Sequence, residues 1–128
     1  MSEVDCTDLL GRPFAYGGRG PDAYDCYGLA MEVCRRAGID LPEWRSVCEP
    51  VLIQDGFEAG KEFFEELAGP QPFCIVLLMV RPPYVSHCGV MLDGGRFIHI
   101  MERTRVTIER IDGLAWRRRV RGFYRFRG

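Results

Sequence analysis

No run of 18 uninterrupted apolar residues occurs, and the opening MSEVDCTDLLGRPF lacks a basic stretch followed by an apolar one. Neither a membrane-spanning helix nor a signal peptide is expected, which places synthesis in the cytoplasm. Histidine is scarce, with only His87 and His99, and the cysteines at 6, 26, 34, 48, 74 and 88 form no CxxC pair. Zinc-type ligand spacing is missing, so no metal site is expected. Without a secretory signal, six cysteines read as small buried hydrophobes in a reducing compartment rather than as a disulfide framework. Repeats and low-complexity segments are absent too. A chain of 128 residues fits one domain, 1–128, with a core of its own.

Apolar residues make up 47% and charged residues 27%, the balance of a globular protein. The net charge of −1 conceals an asymmetry. Residues 100–128 hold nine arginines against Glu102, Glu109 and Asp112, a net +6, so residues 1–99 carry −7. A basic end could suit an anionic polymer. Its arginines alternate, however, with Trp116, Val120, Phe123, Tyr124 and Phe126. That pattern favours strands with a solvated outer face, and nucleic acid is not an expected partner.

Periodicity orders the elements. VDCTDLLGRPF reads as a short helix stopped by Gly11 and Pro13, and YGGRGPDAYD as a glycine-rich loop. From Asp25 the apolar positions 26, 29, 30, 33, 34 and 37 fall at helical spacing, with Gly38 as the stop. Residues 39–56 look irregular, and FEAGKEFFEELAG, 57–69, reads as a second helix. FCIVLLMV, SHCGVML, RFIHIM, RVTIER and GFYRFR then read as strands, with Asp93-Gly94-Gly95 as a hairpin turn. Helices followed by antiparallel strands define an α+β domain, its N-terminal helices packed on a central antiparallel sheet.

Among the cysteines, Cys26 alone follows an N-capping acid at a helix start. There, unpaired N–H groups and the helix dipole favour a thiolate and could also receive an oxyanion. The competing reading is one more small buried apolar residue. The histidines bear on the choice. If the turn is the three residues 93–95, built as a type I turn with a left-handed Gly95, Leu92 faces Arg96 and Gly89 faces His99. His87 then lies diagonally from His99 on the same face. A two-residue turn would separate them. On one face, one imidazole could take the thiol proton and the other hold its tautomer. The alternative is two strand histidines satisfying local hydrogen bonds.

GRPFAYGGRGPDAYDCYGLAMEVCRRAGIDLP and SHCGVMLDGGRFIHI together resemble the NlpC family of bacterial and phage cell-wall cysteine peptidases. The shared features are Asp-Cys-x-Gly-Leu, His-x-Gly and a second histidine twelve residues on, all in order. WRRRVRGFYRF resembles the branch found in phage tails and prophages. The resemblance implies a papain-like fold, Cys26 as nucleophile, His87 as base and acid, and His99 as orienting member. It implies hydrolysis of peptidoglycan stem peptides, commonly between D-γ-glutamate and a diamino acid, with no metal or cofactor.

Substrate-binding positions carry over as Asp25, Tyr27, Tyr16 and Phe14. Many members have serine at the place of Tyr27, where the Asp-Ser pair helps recognise a free stem amine. Phe14 stands where a tyrosine hydroxyl is usual, and Tyr16 is its nearby alternative. Without an export signal, such an enzyme would reach the cell wall or periplasm as a virion tail component, with tail proteins as partners through the basic C-terminal strands or residues 42–72. Two alternatives remain: a catalytically silent tail assembly protein, and a papain-like transferase or deamidase acting on another substrate.

Overall fold

A computed structural model describes residues 4–43, 61–80, 83 and 85–127. The expected N-terminal helix is a single 3-10 turn, Thr7–Leu9. The next element, α1, spans Cys26–Arg36. Asp25 caps it, its carboxylate accepting from the Gly28 N–H, and Gly38 follows its end at φ +84°. Arg35 and Arg36 occupy the last turn, where positive charge suits the helix dipole. The buried stripe Leu29, Ala30, Val33 and Cys34 is the one the spacing predicts.

Six strands follow: β1 Phe64–Leu67, β2 Ile75–Leu78, β3 His87–Met91, β4 Arg96–His99, β5 Thr107–Arg110 and β6 Val120–Phe126. They form one sheet in the order β1-β6-β2-β3-β4-β5, every pair antiparallel. Alternation along the strands gives the sheet two apolar faces. Ile75, Cys88, Val90 and Ile98 pack with α1, whereas Val76, Leu78, Met91 and Phe97 pack with Ile111 and Trp116.

Two expectations are corrected. Where a second helix was expected over 57–69, residues 61–63 form a 3-10 turn and 64–67 a strand; residues 57–60 lie outside the described segments. Long-range pairing overrides helix propensity here. Phe64 stands opposite Phe126 with ring centroids 5.4 Å apart, and Glu65 reaches Arg125 at 2.7 Å. The sheet therefore carries one α-helix among the described residues rather than several. In the hairpin, Gly94 and Gly95 both take positive φ, +70° and +76°, instead of Gly95 alone.

The loop nevertheless has three residues, and the register follows. Met91 pairs with Phe97 and Val90 with Ile98, and the Leu92 N–H donates to Arg96. Gly89 therefore lies opposite His99, where a Cβ would stand 2.8 Å from the Phe97 ring and 3.2 Å from the His99 Cβ.

Candidate active site

Three elements meet at the thiol. The glycine-rich loop is drawn against the helix start: Asp25 N–H donates to the Gly18 carbonyl at 3.1 Å. A Cβ on Gly28 would stand 1.9 Å from that carbonyl oxygen. Asp25 Oδ1 accepts from Gly28 N–H at 2.6 Å and from Arg19 Nη1 at 2.8 Å, while Arg19 also binds Glu43. Asp25 is thus buried, tied into the helix cap and paired with a guanidinium.

Cys26 follows it, half-buried in the first helical turn. The Cys88 thiol donating to its sulfur and the His87 ring beside it hold the Cys26 thiol well below its ordinary 9.0, against the opposing effect of burial. Cys88 moves the other way, raised well above 9.0 by that same bond and by burial. The helix N-terminus and His87 favour the charge on Cys26. Burial pushes Cys34 up to about 12 and raises Cys6 and Cys74. Among the described cysteines only Cys26 is shifted toward the thiolate; Cys48 lies outside the described residues.

His87 Nε2 lies 2.8 Å from His99 Nδ1, both rings buried. The second nitrogen of His99, Nε2, lies 2.6 Å from Glu109 Oε2. Burial, and then the neighbouring His87, lower His99 to about 4, so its ring is neutral at neutral pH. A carboxylate accepts only, which puts the His99 proton on Nε2 and leaves Nδ1 to accept from His87 Nε2–H. Nδ1 of His87 then remains for Cys26. Trp116 closes this face: its ring stands edge-on to His99 at 5.1 Å and to Phe97 at 5.7 Å, and tilted to His87 at 5.9 Å.

Cys26, His87 and His99 are brought together, the two histidines on one face as a three-residue turn requires. The other named positions are placed differently. The Tyr27 hydroxyl donates to the Pro42 carbonyl at 2.5 Å, and the Arg19 guanidinium lies 5.9 Å from the Tyr27 ring centroid. Phe14 packs against the core on the helix side of the sheet and meets exposed Tyr16 edge-on at 5.1 Å. Sequence reasoning missed Cys88 and Glu109. Along the chain Cys88 is one more small strand residue and Glu109 one of three acids in a basic tail.

A helix-borne thiol set against strand histidines places the chain among papain-like α+β proteins. Residues 11–125 match the NlpC/P60 family, and the chain belongs to it. It is 31% identical over 101 residues to tail tip assembly protein K of Escherichia phage N15, covering 71% of this chain and 38% of that protein. It is 28% identical over 129 residues to the gamma-DL-glutamyl hydrolase of Bacillus subtilis, covering 95% of this chain and 28% of the relative. An NlpC/P60 family protein of Bacillus cereus superposes with a TM-score of 0.70 at 17% identity, covering 94% of this chain and 37% of that one. The chain thus spans less than two fifths of these relatives. No helix among the described residues is long and apolar enough to cross a membrane.

Proposed function

We propose that the chain is a cysteine hydrolase acting on peptidoglycan stem peptides, at the amide between D-γ-glutamate and a diamino acid, carried to the wall by a phage tail. The observation that carries this reading is the hydrogen bond between His99 and His87, which leaves the second His87 nitrogen for a thiol already shifted toward its anion. Membership of NlpC/P60, with a gamma-DL-glutamyl hydrolase and a phage tail protein among the relatives, supports the substrate class and the delivery route.

The Cys26 thiolate attacks the amide carbonyl, and the developing oxyanion is held by amides at the positive end of α1. His87 Nδ1, carrying the proton taken from the thiol, passes it to the leaving amine as the C–N bond breaks. A thioester remains. His87 then takes a proton from water, which attacks the thioester and releases acid and thiolate. No metal or cofactor enters this scheme. Asp25, Tyr27, Phe14 and Tyr16 are assigned to substrate binding by their match to the positions that the family motif gives.

The test is digestion of diaminopimelate-type peptidoglycan by the wild type and by Cys26→Ala, with released peptides identified by mass spectrometry. New termini at one stem bond, made by the wild type alone, are expected. Release by neither protein, from sacculi or from soluble fragments, would turn the reading toward a silent tail assembly protein.

A further inference from the structure

The thiol, the two histidines and Glu109 form a continuous chain that ends at a carboxylate. We propose that Glu109 is a positioning residue for hydrolysis, fixing the tautomer of His99 and, through it, the face that His87 presents to Cys26. Its part in turnover rests on the hydrolase reading above; its part in placing protons does not.

Glu109 lies on β5, the edge strand of the sheet. It pairs directly with Phe97, while His99 pairs with Thr107, so the pleat puts Glu109 on the face of His99 and diagonal to it. From there Oε2 reaches His99 Nε2 at 2.6 Å, a short hydrogen bond. Each proton position then follows from the one before. A carboxylate acceptor demands hydrogen on His99 Nε2. Nδ1 of His99 is consequently bare and demands hydrogen on His87 Nε2, 2.8 Å away. Nδ1 of His87 is left bare, the form in which it takes a proton from Cys26.

Without Glu109, His99 is equally served by hydrogen on Nδ1. That tautomer would aim a donor at His87 Nε2 and drive the His87 hydrogen onto Nδ1, the wrong nitrogen for a base. The Glu109 side chain is 39% exposed on an edge strand, so its replacement opens no enclosed cavity.

The experiment uses the full chain with ring-15N histidine, comparing wild type, Glu109→Ala and Glu109→Gln. In the wild type at pH 7, His99 should show hydrogen on Nε2. In Glu109→Ala the Nδ1–H form should appear, and kcat on stem peptides should fall about 10- to 100-fold with KM within about twofold. Glu109→Gln, whose amide oxygen still accepts from Nε2–H, should keep the wild-type tautomer and recover most of kcat. Glu109→Ala with wild-type kcat would overturn the proposal. So would a fall in kcat with the His99 tautomer unchanged, since the loss would then come from elsewhere. If the wild type hydrolyses no stem peptide, the substrate reading fails, and the rate of Cys26 alkylation by iodoacetamide takes the place of turnover. A lower rate in Glu109→Ala supports positioning, and an unchanged rate refutes it.

Discussion

The proton chain requires a neutral His99, and this has a measurable cost in acid. In the unfolded chain His99 titrates at its ordinary 6.5, and in the folded protein at about 4. The groups facing it are His87, Glu109, Phe97 and Trp116, and burial among them disfavours the imidazolium more than Glu109 favours it. Between those two values the unfolded state binds the extra proton. Stability is therefore fully present above about pH 6.5 and is lost as pH falls toward about 4, below which this group contributes nothing further. A difference of 2.5 units at 1.36 kcal/mol each amounts to about 3 kcal/mol as an upper value. Urea unfolding of wild type and of His99→Gln, at half-unit steps from pH 4 to 7, would measure it. Carboxylates away from His99 affect both proteins alike and cancel in the difference, and Glu109→Gln placed in both backgrounds removes the one that bonds it. The wild type should lose about 3 kcal/mol more than the variant across the interval. Parallel declines, or a His99 ring that titrates near 6.5 by NMR, would refute the buried neutral imidazole.

Three further outcomes are expected. Cys26→Ala and His87→Ala should each abolish hydrolysis, the first with thermal unfolding close to wild type and the second with a lowered Tm, because His87 is buried and its loss leaves His99 Nδ1 without a partner; turnover by either variant would exclude the thioester route. Cys88→Ala removes a hydrogen bond to a charged sulfur, so alkylation of Cys26 at pH 7 should slow about tenfold, as iodoacetamide rates followed against pH would report. Gly28→Ala would drive a methyl to 1.9 Å from the Gly18 carbonyl oxygen, and should cost about 1–3 kcal/mol in urea unfolding together with thiol reactivity.

What the sequence determined by itself is whatever depends on neighbours along the chain. Asp25, the helical stripe from Cys26 and the stop at Gly38 are set within a few residues of one another, so the start of α1 and the thiol in its first turn were legible. The pairing of His87 with His99 was legible for a similar reason. A three-residue turn at 93–95 dictates register, and register dictates face. The turn keeps its three residues, and the register with it, although Gly94 takes φ +70°.

Tertiary structure decided the rest. Residues 64–67 carry side chains suited to a helix, and they became a strand because β6, some sixty residues later, offers an edge with Phe123, Arg125 and Phe126 in matching positions. Cys88 looks like any small strand residue until α1 lies across β3 and sets it against Cys26. Glu109 follows a connection, residues 100–106, with no tight-turn signature to fix the offset of β5 against β4. A slip of one residue would point its carboxylate to the opposite face. Only the formed sheet places it beside His99, which is why the nucleophile could be read from local sequence and the far end of its proton chain could not.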